Sequence, residues 1–165
     1  MKTLIVYSSK SGNTKKLAKV AYDFLPGENF LRAVEEKPDS TGYDFVVVGF
    51  WLQGGKADPE SREYLAAIAP GNLFFFATHG ASAGSPYARN AMDEAKKLVS
   101  TSKILGTFNC QGEVEEKFLA KVRKKDPQPP WVKDASGAVG HPDGIDIANL
   151  QKELERAVTL LRAEI

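Results

Sequence analysis

Three short apolar runs along the chain predict strands that are buried on both faces. They lie at Leu4–Val6, Phe45–Gly49 and Leu73–Ala77, and each is rich in β-branched or aromatic residues. Two further segments, Asn29–Val34 and Ile104–Asn109, complete a set of five predicted strands, the first of these two being a short edge strand.

Helical patterns alternate with these strands. Asp58 and Pro59 form a typical N-cap and first-turn pair, as do Ser85 and Pro86, so we expect one helix to begin at each pair. Apolar positions at helical spacing occur within Leu17–Leu25, Tyr64–Ile68, Ala88–Val99, Val114–Val122 and Ile147–Leu161.

Alternating strands and helices predict an α/β domain with a parallel sheet. We expect a single domain over residues 1–165, a doubly wound three-layer α/β/α sandwich with five parallel strands in the order 2-1-3-4-5. In this topology a ligand binds at the carboxyl ends of the strands. An elaborated connection at about 113–144, rich in proline and glycine, is either a surface elaboration or a functional lid.

Charge and composition exclude several classes of protein. The net charge of +1 is too balanced to indicate nucleic-acid binding. No apolar run approaches the roughly 18 residues of a membrane span, and we expect no membrane insertion. The chain leads directly into its first strand, so we expect no signal peptide. Cys110 is the single cysteine, which fits a cytoplasmic protein without a disulfide, and two histidines with one cysteine do not predict a metal site.

The loop after the first strand has the composition of a phosphate-binding turn. A strand, a small polar loop and a helix together direct backbone N–H groups and the helix dipole at an anion. The loop lacks the triphosphate and dinucleotide glycine patterns, so one terminal phosphate fits it better. The alternative is an ordinary turn with Asn13 or Thr14 as N-cap. The candidate residues are Ser9, Lys10, Ser11, Gly12, Asn13 and Thr14.

This loop, Y-S-S-K-S-G-N-T, resembles the [ST]-x-T-G-N-T phosphate loop of the flavodoxin family. Ser11 stands where the family usually has threonine, and Lys10 adds a cation where the family relies on neutral donors. The resemblance implies a flavodoxin-like fold that binds FMN non-covalently, with the phosphate held by residues 9–14.

A loop predicted over Phe50–Ala57 supplies candidates for one wall of the flavin site. Trp51 is suited to stacking on the flat ring, although core packing is the alternative. The resemblance implies that a glycine of this loop presents its carbonyl to N5–H of the reduced flavin, whereas a simple hairpin-like turn is the other interpretation. The candidates in this loop are Trp51, Leu52, Gln53, Gly54 and Gly55.

The loop Thr78–Gly84 corresponds to the second flavin wall. The family usually has a tyrosine or tryptophan there, but this chain has none between Thr78 and Ala81. Backbone N–H groups of Gly80 and Ala81 are candidates for the pyrimidine edge of the ring. His79 is either beside the ring or an ordinary loop residue.

Two aromatic residues elsewhere are further candidates to cover the ring. Tyr87 lies just inside a predicted helix, where packing is the simpler role. Trp131 lies in the long connection and would cover the exposed face of the ring.

Three functions remain open from the sequence. The first is a one-electron carrier that shuttles electrons between a reductase and an acceptor enzyme, acting as a monomer with these redox partner proteins. The second is a small FMN-dependent NAD(P)H oxidoreductase acting on a quinone or another organic acceptor. The third is a non-redox interaction module. A phosphatase loop and a receiver domain are excluded, because Cys110 is not followed by the required arginine and the strand ends lack aspartates.

Overall fold

The computed structural model describes residues 1–163 and shows a sheet of five parallel strands with one short antiparallel addition. The parallel strands follow the order β2-β1-β3-β5-β6, which confirms the predicted order. The short antiparallel strand, β4, pairs with the end of β3. The strands are β1 (Lys2–Tyr7), β2 (Glu28–Ala33), β3 (Phe45–Gln53), β4 (Lys56–Ala57), β5 (Asn72–His79) and β6 (Lys103–Gln111).

Helices cover both faces of the sheet, so the three-layer arrangement is confirmed. On one face, apolar residues of the first and last helices, such as Leu17 and Leu154, pack on Ile5 and Val47. On the other face, the second and third helices pack on the alternate strand residues. The helices are α1 (Asn13–Phe24), α2 (Pro59–Ala67), α3 (Pro86–Leu98), α4 (Glu116–Val122) and α5 (Gly144–Arg162).

Strand register brings the carboxyl ends of the parallel strands to one edge of the sheet. Tyr7 pairs with Gly49, and Trp51 pairs with Thr78. The segments that follow β1, β3, β5 and β6 therefore meet at this edge, as the sequence predicted for three of them.

The predicted loop over Phe50–Ala57 is wrong in its secondary structure. Strand β3 continues to Gln53, and the chain turns back through Gly54 and Gly55 into β4. Pairing of Gln53 with Lys56 provides backbone hydrogen bonds that a loop would leave to water. The result is a hairpin at this edge of the sheet, as one interpretation of Gly54 and Gly55 predicted.

The helix caps follow the sequence signals, with one difference. Asp58 accepts a hydrogen bond from the Ser61 N–H, and Ser85 accepts one from the Ala88 N–H. In α1, however, Gly12 occupies the N-cap position instead of Asn13 or Thr14. Because glycine has no side chain, the first turn of α1 has no cap of the usual kind.

The connection over residues 113–144 is ordered across the carboxyl edge of the sheet. It contains α4 and a 3-10 helix at Val132–Ala138. Its two ends are tied together where the Glu113 N–H donates to the His141 carbonyl at 2.8 Å. Within residues 1–163, none of the helices combines the length and the apolar character that crossing a bilayer requires.

Candidate functional site

A cavity of about 560 Å³ opens at the carboxyl edge of the sheet. Its walls come from the first loop, the end of β3, the end of β5, the start of α3 and the connection after β6. The lining residues are Lys10, Ser11, Asn13, Thr14, Trp51, Leu52, Gln53, Gly54, Thr78, His79, Gly80, Tyr87, Gly112, Glu113, Val114, Glu115, Phe118, Val122, Lys125, Pro129, Pro130 and Trp131.

Most of the predicted site residues line this one cavity. The exceptions are Ser9, Gly12, Gly55 and Ala81, which lie outside the lining. The assignment of the set to cofactor binding stays a prediction.

The first loop is held by the side chain of Ser9. Its Oγ accepts hydrogen bonds from the N–H groups of Gly12 at 3.1 Å and Lys15 at 3.2 Å. Gly12 adopts φ 99°, a conformation that glycine reaches at little cost, and a Cβ atom there would meet nothing within 4 Å. The first helical bond of α1 runs from the Lys16 N–H to the Gly12 carbonyl, which leaves earlier N–H groups outside the helix ladder.

Two side chains of the loop form hydrogen bonds within the protein. The Thr14 hydroxyl lies 2.9 Å from that of Thr78, and both are buried. The Asn13 amide donates to the Glu113 carbonyl at 3.0 Å and to the Ser11 hydroxyl at 3.3 Å. Asn13 therefore joins the first loop to the connection after β6.

Lys10 lies between two aromatic rings of the cavity. Its ammonium nitrogen is 5.5 Å from the centroid of Trp51 and 4.9 Å from that of Phe118. Both distances fit cation–π contacts. The cation thus bridges the β3 end of the cavity and helix α4.

The hairpin after β3 contributes Trp51 through Gly54 to the lining. Gly54 and Gly55 have φ angles of 60° and 77°, which is the pattern of a two-residue type I′ turn. The Gly55 N–H donates to the hydroxyl of Tyr87 at 3.0 Å. Burial raises the pKa of Tyr87, so this hydroxyl stays protonated at neutral pH.

His79 is buried at the end of β5, with 6% of its surface exposed. Its Nε2 lies 2.9 Å from the side-chain Oδ1 of Asn109, so the tautomer with a proton on Nε2 donates there. Burial lowers the pKa of His79, and its contacts with the Asn109 side chain and the Ala81 backbone oppose this shift. Its Nδ1 is buried and has no hydrogen-bond partner among residues 1–163.

Because Gly80 has no side chain, an aromatic ring from the connection after β6 packs against its backbone. A Cβ atom on Gly80 would lie 2.9 Å from Trp131 and 2.8 Å from Val114, so both side chains pack directly on the glycine backbone. Trp131 in turn stacks on Phe118, with ring centroids 6.2 Å apart and planes at 6°. The connection therefore supplies the aromatic wall that the end of β5 lacks.

The sequence did not predict most of this second wall. Trp131 and Tyr87 were candidates by residue type, and the length of the connection was the signal for the rest. The missed lining residues are Gly112, Glu113, Val114, Glu115, Phe118, Val122, Lys125, Pro129 and Pro130.

Two sets of residues outside the cavity, a cluster of titratable side chains and the single cysteine, have structural explanations. His141, Asp143 and Asp146 lie close together at the start of α5, where Asp143 and Asp146 form a capping box and His141 Nδ1 is 2.6 Å from Asp146. Cys110 is buried, and burial raises the pKa of its thiol. Burial and a raised pKa make a thiol a poor nucleophile.

Comparison with known proteins identifies the family. The family model of the flavodoxin domain matches residues 4–155. The chain belongs to the flavodoxin family. It is similar to the flavodoxin-like domain-containing protein BilS of Clostridioides difficile strain CD3, with 34% identity over 129 residues, covering 75% of this chain and 73% of the relative.

Solved structures share the flavodoxin fold with this chain. A flavodoxin of Streptococcus pneumoniae TIGR4 has a TM-score of 0.64 at 15% identity, with 100% of each chain covered. A flavoprotein of Lactobacillus acidophilus NCFM in complex with FMN has a TM-score of 0.51 at 19% identity, covering 66% of this chain and 92% of the other. At these identities the likeness concerns the fold. The sequence of the first loop predicted membership of the flavodoxin family, and the family match confirms it.

Proposed function

We propose that this chain binds FMN non-covalently and carries single electrons between a reductase and an acceptor enzyme. The arrangement that supports this most directly is a single cavity that joins the start of α1, where Gly12 is the N-cap, to walls that contain Trp51 and Trp131. FMN has the matching chemistry, because it carries one phosphate at one end and a flat aromatic ring at the other. The family membership and the FMN complex of a structural neighbour support the same ligand.

The first loop would hold the phosphate. The N–H groups at the start of α1 lie outside the helix ladder, and the positive end of the helix dipole favours an anion there. Ser11 and Lys10 line the cavity and add a hydroxyl donor and a positive charge. Ser9, although outside the lining, keeps the loop in shape through its bonds to Gly12 and Lys15.

Trp51 and Trp131 would flank the ring. Both line the cavity, and Trp131 is fixed by its stacking on Phe118 and its packing on Gly80. Aromatic stacking contributes about 0.5–1.5 kcal/mol beyond the burial of area for each ring pair. The two walls would also shield the ring from water.

Polar groups at the end of β5 fit the edge of such a ring. The partnerless Nδ1 of His79 is a buried acceptor that a ligand N–H would satisfy. Because burial lowers the pKa of His79, the imidazole is neutral at pH 7 and this nitrogen keeps its lone pair. The residues present therefore fit FMN.

FMN, when bound, accepts and donates electrons one or two at a time. The side chains of this chain bind the cofactor, orient it and tune its affinity for electrons. Cys110, the single cysteine, is buried with a raised pKa and is therefore a poor nucleophile. A carrier role needs no further catalytic group. We propose that it operates in the cytoplasm with protein redox partners.

A second candidate is an FMN-dependent NAD(P)H oxidoreductase. The observation that favours it is the apolar wall formed by Phe118, Val122 and Trp131, which extends the cavity beyond the strand ends. Such a wall is suited to an apolar organic acceptor bound beside the cofactor.

Mixing the FMN-loaded protein with NADH or NADPH separates the two functions. A carrier leaves either nicotinamide unoxidised until a flavodoxin reductase is added, and then passes electrons on to cytochrome c. Rapid oxidation of NADH or NADPH by the protein alone would contradict the carrier role and support the oxidoreductase.

A further inference from the structure

Five cationic side chains lie on helix α4 and in the turn that follows it. Residues 117–125 contain no acidic side chain, and all five cations are exposed. Because the whole chain has a net charge of only +1, the residues outside this segment are acidic on balance. We call this set the α4 patch, and its members are Lys117, Lys121, Arg123, Lys124 and Lys125.

Most of the charge of the α4 patch is not neutralised within the protein. Arg123 lies 3.4 Å from Glu116, in an ion pair whose side chains are both largely exposed. Exposed pairs of this kind are weak, because water screens them. In the part of the chain that the structure describes, residues 1–163, the four lysines of the patch form no ion pair. The patch therefore presents positive charge to the solvent.

The α4 patch lies beside the opening of the cavity. Lys125 lines the cavity together with Phe118 and Val122 of the same segment. Phe118 is also 43% exposed, so its ring belongs both to the cavity wall and to the outer surface. The ammonium nitrogen of Lys10 lies 4.9 Å from the centroid of this ring and adds a further positive charge there. A protein that contacts the patch would therefore also reach the cavity and the exposed ring.

We propose that the α4 patch is the docking surface for a redox partner protein whose own docking surface is acidic. The inference rests on the proposed role as an electron carrier, in which a partner protein must approach the cavity closely. Opposite charges steer such a partner to the correct face and raise the rate of association. Phe118 provides an apolar contact at the edge of the patch, as the centre of an interface requires. Because a carrier exchanges electrons with proteins, an acidic protein fits the patch better than an anionic membrane.

Stopped-flow kinetics with two protein probes of opposite charge test this docking surface. The FMN-loaded protein is reduced anaerobically and mixed either with an acidic plastocyanin or with cytochrome c, which is basic. We expect the second-order rate constant for plastocyanin to fall at least about tenfold from low to high ionic strength, because salt screens the attraction. The rate constant for cytochrome c should rise or stay constant over the same range, because salt screens a repulsion.

The double variant Lys121→Glu/Lys124→Glu reverses two charges of the α4 patch. Neither residue lines the cavity, so the affinity for FMN should not change. We expect its rate constant for plastocyanin at low salt to be at least about fivefold below that of the wild type. Lys19→Glu/Lys152→Glu is the matched control, because it makes the same change in net charge at exposed positions of α1 and α5 outside the cavity lining. This control should change the rate constant by less than about twofold.

The outcomes separate failure of this inference from failure of the proposed function. Equal rate constants for the two double variants, or a plastocyanin rate constant that rises with salt, would overturn the docking surface and leave the carrier role intact. Sedimentation of the wild type, but not of Lys121→Glu/Lys124→Glu, with phosphatidylserine vesicles would assign the patch to a membrane and also overturn the inference. If the wild type binds no FMN or reduces neither probe, the proposed function fails and this inference fails with it.

Discussion

A Cβ atom on Gly80 would lie 2.9 Å from Cε3 of Trp131, a distance that real Cβ atoms essentially never show. The indole ring can pack on the end of β5 only because Gly80 has no side chain. An aromatic residue from the connection after β6 thereby lines the cavity beside His79. Residues 51 places apart in the sequence thus combine into one wall.

Gly80→Ala tests this wall. The added methyl group must displace Trp131 and Val114, and overpacking of this kind costs about 1–3 kcal/mol. We expect the affinity for FMN to fall by at least about fivefold, measured as quenching of FMN fluorescence. Gly84→Ala is the control, because a Cβ atom there meets nothing within 4 Å. Equal affinities for the two variants would show that Trp131 does not contribute to the site.

Lys10→Met tests the charge inside the cavity. The ammonium group lies between Trp51 and Phe118 and would stabilise the negative charge of reduced FMN. Its removal should lower the potential of the last reduction step by roughly 40 mV, which corresponds to about 1 kcal/mol for one charge pair near water. Lys19→Met, on an exposed position of α1 outside the cavity, is the control. Equal potentials in Lys10→Met and Lys19→Met would show that the charge of Lys10 does not affect the last reduction step.

His79→Gln tests the pH dependence that burial implies. Because the pKa of His79 is lowered in the folded protein, His79 binds a proton at a higher pH in the unfolded chain than in the folded protein. The stabilisation is therefore complete above pH 6.5, the ordinary value, and is lost progressively below it. Between pH 7 and pH 5 the wild type should therefore lose more free energy of unfolding than His79→Gln. Parallel stability curves in urea titrations would contradict this.

Cys110 should be protected from thiol reagents. It is 2% exposed, and burial raises the pKa of its thiol. We expect labelling by a disulfide reagent at pH 8 to be slow in the native protein and complete within minutes in guanidinium chloride. Fast labelling of the native protein would show that β6 opens readily.

The fold followed closely from the sequence because the local signals agreed with each other. Buried strands such as Phe45–Gly49 have no polar interruption, and Asp58-Pro59 and Ser85-Pro86 mark helix starts with specific chemistry. The order of the parallel strands then followed from their alternation with helices. A hairpin-like turn at Gly54-Gly55 was one of the two interpretations, but β4 was missed, because a two-residue strand leaves almost no pattern.

The candidate site residues that form a local sequence motif could be predicted from the sequence. The residues that reach the cavity through tertiary packing could not. The loop from Ser9 to Thr14 has a signature of residue types. Phe118 and Pro129, by contrast, became lining residues only because the connection folds back over the sheet edge. Its attachment, through the Asn13 amide and the Glu113 carbonyl, joins positions 100 apart, which no local pattern records.

In the proposed complex the first loop holds the phosphate of FMN, while Trp51 and Trp131 flank the flavin ring. Titration of the cofactor-free protein with FMN and with riboflavin, which has the same ring but no phosphate, tests this most directly. We predict that FMN binds at least about tenfold more tightly, since the phosphate meets the start of α1 and Lys10. Equal affinity for the two flavins, or no binding of either, would contradict the account.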